Sequence, residues 1–227
     1  MSSAKVLFSA EELRLVRDPA VILTKNSVMA KVVELMAALS EVYRPVWAGA
    51  IARVVAADDA AKNREATDGL AAVSRTGGLA GELTAASPKI SKGENYRGLP
   101  WVMLDYPRFF GREDVFAIRT MFWWGHAFST TLHLKGKYRE LYLPVIEKHW
   151  AVLADAGFRV GVSEDEWQHE HGDHNYGVLT GVEDLRRVDP GGARNFLKLS
   201  AAVGLDRWEV VPDALTVMFK TLISVLF

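Results

Sequence analysis

Between Leu99 and Lys135 the chain sets Asp105, Arg108, Arg119, His126 and His133 among three of its seven Trp and five of its ten Phe. These are side chains that can do acid–base work. An imidazole or a carboxylate can take a proton from a bound molecule, and a guanidinium can stabilise the negative charge that results. An unpaired charge buried in so apolar a run would cost on the order of several kcal/mol. The charges therefore pair with one another or line a cavity. His133 and Asp105 are the candidate proton acceptors.

Three extended segments must position them. Leu99–Tyr106, Val115–Trp124 and His126–Leu134 alternate as strands of a meander, separated by a turn on Gly111 and a break at Gly125. Pleat parity then puts Trp101, Met103 and Asp105 on one face. Arg119, Met121 and Trp123 share a face of the second strand, and Ala127, Ser129, Thr131 and His133 a small polar face of the third. A small polar face between aromatic walls is what a ligand cavity needs. The expected ligand-binding set is Asp105, Arg108, Arg119 and His133, walled by Trp101, Trp123 and Tyr96. A single bulge would reverse the parity. The competing reading is a structural Asp–Arg pair with His133 merely hydrogen-bonded.

A second constellation is WQHEHGDHNY, residues 167–176. His169, His171 and His174 could offer three imidazoles to a divalent metal. Ser163 with Glu166 reads as a capping box opening a helix, and on a helix His169 and His171 point roughly 200° apart. No HExxH or facial-triad spacing supports a site, so a solvated polar loop is the expected reading and no metal is assigned. SKGENYRG, residues 91–98, reads as a surface turn, or as a lid carrying Tyr96 over the cavity. It lacks the P-loop frame, and neither a nucleophile elbow nor a dinucleotide fingerprint occurs elsewhere. No cofactor is indicated.

Around these lie helices. Ser9 and Glu12 make a capping box for a first short helix, which Pro19 ends. Val28, Val32, Leu35, Met36, Leu39 and Val42 predict an amphipathic helix over 27–43. Pro45 should end or kink it, with an Ala-rich helix following over 47–62. Residues 66–95 read as a long flexible connection. A helix up to Ala156, a short strand over 158–162 and a mainly helical tail over 163–227 complete the pattern. In that tail ARNFLKLSAAV reads as an amphipathic piece after the break at Pro190-Gly191-Gly192, and a last helix starts near Pro212.

Composition bounds the function classes. The 227 residues carry a formal net charge of −1, which argues against a nucleic-acid surface. With no cysteine, disulfides, thiolate nucleophiles and cysteine metal sites are excluded. No signal peptide is read at the N-terminus, and the apolar C-terminal stretch is broken by Asp213 and Lys220, so a cytoplasmic protein without a membrane partner is expected.

The segments ILTKNSVMAKV (22–32), ENYRGLPWVMLDYPR (94–108) and MFWWGHAFSTTLHLKG (121–136) resemble a group of bacterial proteins without an established activity. The resemblance implies no reaction. It does fall on the segment that the side chains select independently.

The expectation is one α+β domain, with a small antiparallel sheet over about 99–162 packed with N-terminal and C-terminal helices. Its expected role is to bind a small polar or anionic molecule in the aromatic pocket, with or without catalysis. The alternative is a non-catalytic interaction or assembly subunit, a homo-oligomer included, that docks through the apolar C-terminal helix. A metal enzyme using the 169–174 histidines is a distant third.

Overall fold

The computed structural model describes residues 7–68, 86–188 and 194–227. The glycine break at 190–192 and most of the expected 66–95 connection lie outside them. The architecture is α+β: a seven-stranded antiparallel sheet with helices against one face.

The first helix, α1 (Ala10–Val16), is capped as its sequence predicts. Ser9 Oγ accepts from the Glu12 amide at 3.2 Å, and the Glu12 carboxylate accepts from the Ser9 amide at 2.6 Å. The second, α2 (Pro19–Asp68), corrects two expectations. Pro19 opens this helix in its first turn, where a missing N–H costs nothing. Pro45 lies inside this one 50-residue helix and does not end it. An interior proline costs ~3 kcal/mol. Here the apolar stripe stays in phase across it: Met36, Leu39 and Tyr43 before, Trp47, Ala50 and Ile51 after, all buried against the sheet and the C-terminal helix. Packing outweighs the lost hydrogen bond.

The strands are β1 (Lys89–Tyr96), β2 (Leu99–Phe110), β3 (Val115–Trp123), β4 (Ala127–Lys135), β5 (Arg159–Gly161), β6 (Tyr176–Val178) and β7 (Phe196–Gly204), in spatial order β1-β2-β3-β4-β7-β5-β6. The sheet is thus larger than expected at both ends. Residues 91–98 are a strand and its turn rather than a lid. The tail over 163–227 is not mainly helical: β7 runs through the centre of the sheet. ARNFLKLSAAV serves as a strand because Phe196, Lys198 and Ser200 face one side while Leu197, Leu199 and Ala201 enter the core. The β1–β2 hairpin turns on Arg97 and Gly98, both at positive φ (51° and 83°), as a two-residue type I′ turn requires.

Between the β-elements lie α3 (Lys137–Lys148), α4 (Trp150–Asp155) and α5 (Val182–Arg187), so the helix expected up to Ala156 is interrupted at His149. A 3₁₀ turn (Leu205–Val210) leads into α6 (Val211–Leu226). Val102, Leu104, Phe116, Ile118, Phe128, Leu132 and Leu199 form the core face of the sheet with α2, α3 and α6. Within it the rings of Tyr43 and Phe219 stack at 3.8 Å. Eight residues of α6 are buried, each contributing about 1.5–3 kcal/mol. The C-terminal helix is thereby a component of this fold's own core. Among the described residues no helix is long and apolar enough to cross a membrane.

Candidate functional site

The opposite face of the sheet carries a polar stripe beside an apolar cluster of Met103, Met121 and Trp123, and register explains the stripe. Lys89, Asp105, Arg119, Thr131, Ser200 and Arg159 are successive partners across β1, β2, β3, β4, β7 and β5, so all six fall in one transverse row. The next row holds Ala117, His133 and Lys198. The 162–175 connection between β5 and β6 folds over these rows, as its contacts with His133, Lys198 and Ser200 show.

That connection is not the helix expected from Ser163 and Glu166. Ser163 Oγ accepts from the Asp165 amide (3.2 Å), and Asp165 accepts from the Trp167 amide (2.9 Å), which makes a polar turn. Glu166 reaches down instead of capping. It accepts from His133 Nε2 at 3.0 Å and from Lys135 Nζ at 2.7 Å. Lys198 Nζ donates to the Gln168 carbonyl. The His169 amide donates to the Tyr96 hydroxyl at 2.8 Å, and His171 Nε2 lies 2.7 Å from Ser200 Oγ. Arg97, in the β1–β2 turn, pairs with Glu170 at 2.7 Å and donates to Gln168 Oε1 at 2.8 Å.

Between this connection and strands β1–β3 lies a cavity of about 640 Å³. Its walls are Tyr96, Trp101, Phe110 and Trp167, with Met103 and Met121 beneath; Lys89, Ser91, Asn95, Asp105, Arg119 and His169 supply polar atoms. Trp101 lies flat over Gly93, where a Cβ would stand 2.6 Å from its indole nitrogen, so only glycine lets that wall form. A smaller cavity of about 120 Å³ adjoins it through the shared Met121 and His169, and also takes in Trp123, His126, Ser129 and His171.

The ion pair expected from the sequence is present inside the large cavity. Arg119 Nε donates to Asp105 Oδ1 at 2.7 Å and Nη2 to Oδ2 at 3.5 Å, while Nη1 is buried without a partner. The guanidinium carbon sits 5.3 Å from the Phe110 ring centre and 5.7 Å from that of Trp167. So the aromatic box already holds a cation of the protein's own. Asp105, Arg119, Trp101 and Tyr96 meet around one cavity. Trp123 faces the smaller one, stacked on His126 at 3.5 Å.

Arg108 and His133 are not among the cavity's lining. A one-residue bulge follows Asp105, and Arg108 Nε donates to the Ser87 carbonyl at 3.1 Å, away from the lining. His133 is wholly buried under Glu166. Burial, then the positive charge of Lys198, push it down to about 4 against the pull of Glu166. As a neutral ring donating through Nε2 it leaves Nδ1 a buried acceptor without a partner. It holds the overlying connection and has no path to a ligand. Both carboxylate oxygens of Asp105 are engaged by Arg119.

The proton acceptor that does face the cavity is His169, which sequence reasoning weighed only as a metal ligand. Burial, then Arg119 and Lys198, hold it well below the usual imidazole range, so it is neutral at pH 7. Its ring nitrogens make no hydrogen bond among the described residues, and its ring borders both cavities. It can therefore accept a proton from, or donate a hydrogen bond to, a molecule held there. Burial likewise brings His171 to about 4. Its partner Ser200 is fully buried and lines neither cavity. His174 faces outward 3.6 Å from Glu170. His169 and His171 thus share the smaller cavity while His174 turns away from it, and no group of three or more His, Asp or Glu among the described residues could hold a metal.

Lys198 was also missed. It is 2% exposed, and burial, then Arg119, bring it down to about 7. Read with a period of two, NFLKLSAAV would have placed it on the same face as Ser200; read as a helix, it did not.

Compared with family models, with curated proteins and with solved structures, the chain finds no match.

Proposed function

We propose that this protein binds a small, largely apolar molecule in the cavity between the 162–175 connection and strands β1–β3. The observation that carries the reading is the cavity itself: about 640 Å³ of space walled by four aromatic rings and two methionines, with a few convergent polar groups. Ligand sites have that size and make-up. A merely structural Asp–Arg pair needs no space beside it, and the imidazole of His169, packed near the Tyr96 ring, makes no hydrogen bond among the described residues. The assembly-subunit alternative has less to stand on, because α6 is buried in the chain's own core. Catalysis, if the bound molecule is transformed, falls to His169 as proton acceptor, with Arg119 stabilising negative charge.

The test uses N-phenyl-1-naphthylamine, a neutral dye that fluoresces in apolar surroundings. Ser91 lies on edge strand β1 and lines the cavity; Ser91→Trp fills it without touching the core. The expected result is saturable enhancement with the wild-type protein, reduced at least tenfold in affinity in Ser91→Trp while the circular dichroism spectrum is retained. Equal enhancement in both would place the dye elsewhere and overturn the reading.

A further inference from the structure

The groups around the cavity are unequal in charge and in hydrogen-bonding sense. Its two cations are Lys89 and Arg119, and its one anion is Asp105. Lys89 is the cross-strand partner of Asp105, yet makes no ion pair among the described residues; Asp105 is taken by Arg119 from the other side. One net positive charge remains. Donors also outnumber acceptors. Asn95 uses its carbonyl oxygen on the Gly98 amide at 2.9 Å, which leaves its NH₂ to donate. The Tyr96 hydroxyl accepts from the His169 amide and keeps its own hydrogen. Arg119 adds its positive charge, although its unpaired Nη1 is itself closed off from the cavity. Against these stand the Asp105 carboxylate, already engaged by Arg119, and Ser91 and the neutral ring of His169, each both donor and acceptor.

Resting on the binding reading above, we infer that the ligand is an aromatic carboxylate, its ring among Trp101, Tyr96 and Met121 and its carboxylate towards Lys89 and Arg119. A cationic ligand is disfavoured twice. The excess charge repels it, and the Phe110–Trp167 box that would hold it already holds Arg119. A neutral amide of the same shape leaves Lys89 unpaired and places its own donor among donors. Charge-assisted hydrogen bonds are stronger than neutral ones, so the preference for the acid is expected to be tenfold or more.

The experiment compares 2-naphthoate with 2-naphthamide, isosteres that differ in charge, by calorimetric titration of the whole protein. The expected result is that naphthoate binds at least tenfold more tightly, and that 0.5 M salt shrinks this preference. Lys89 is on an exposed edge strand, so Lys89→Gln should fold; it is expected to reduce the preference for naphthoate over naphthamide at least threefold. If both compounds bind equally, or Lys89→Gln leaves the preference intact, the assignment of an anion is overturned while the cavity remains a binding site. If neither binds at millimolar concentration and the neutral dye fails with them, the binding reading falls and this inference with it.

Discussion

Gly93 shapes the wall of the cavity. The indole of Trp101 occupies the space that any Cβ there would need, an aromatic-over-glycine contact between neighbouring strands. Gly93→Ala is expected to push Trp101 off β1 and to weaken dye binding at least fivefold, with a modest fall in the melting temperature. Unaltered binding would show that the wall does not depend on this contact. The Asp105–Arg119 pair tests differently. Its side chains are 8% and 13% exposed, so Arg119→Ala strands a buried carboxylate and should cost about 3–5 kcal/mol in urea unfolding. Replacing both, Asp105→Leu with Arg119→Met, should recover most of that stability, because an apolar pair of similar volume is often neutral. The double variant should still lose naphthoate binding. Full binding by it would make the pair purely structural.

At the scale of elements, α2 and α6 hold the sheet from one side. Phe219 stacks on Tyr43, whose hydroxyl donates to the Leu215 carbonyl at 3.2 Å. Phe219→Ala should therefore cost about 3–5 kcal/mol, read as a lower urea midpoint. Pro45 is exposed on α2. Pro45→Ala restores a donor and should stabilise the protein by up to ~3 kcal/mol; destabilisation would mean that the proline's bend is needed for packing. The elements also divide by how legible they were. Strands β3 and β4 alternate without a break, and β2 does so up to the bulge after Asp105, so the shared face of Asp105 and Arg119 could be read directly. β7 could not, because its core residues and its polar face also suit a helical stripe, and only partners distant in sequence choose between them. The 162–175 connection was opaque for a similar reason. Ser163 and Glu166 satisfy a local capping pattern, but His133 and Lys135, some thirty residues away, compete for the Glu166 carboxylate and win. His169 came into the cavity with that connection, and no local pattern signals it.

Across the whole molecule, the closed polar face makes stability depend on pH. His133, His169 and His171 are all held below their ordinary value, burial being the first cause in each. A depressed imidazole favours the neutral form in the fold. The unfolded chain takes up protons as pH falls through about 6.5, whereas folded His133 and His171 do so only near about 4. Their contribution is thus complete above 6.5 and is lost as pH falls towards 4. Unfolding at pH 5 should take up about three protons from this set, and His171→Gln should remove about one. A stability that is flat from pH 7 to 5 would contradict the neutral, buried face. Lys198 acts in the same sense at higher pH: neutral more readily in the fold, at about 7 instead of 10.5, it adds stability as pH rises through that interval.

That the cavity receives a ligand can be observed at its walls. The seven Trp are spread over both faces of the sheet: Trp101 and Trp167 line the cavity, whereas Trp47 lies in the core on the other side. In a proton–nitrogen correlation spectrum each indole N–H gives its own signal. Titration with 2-naphthoate is expected to move the signals of Trp101 and Trp167 along saturable curves that share one dissociation constant, and to leave Trp47 and Trp208 in place. Shifts at Trp47 or Trp208 without shifts at Trp101 and Trp167, or none at all at saturating concentration, would contradict the account.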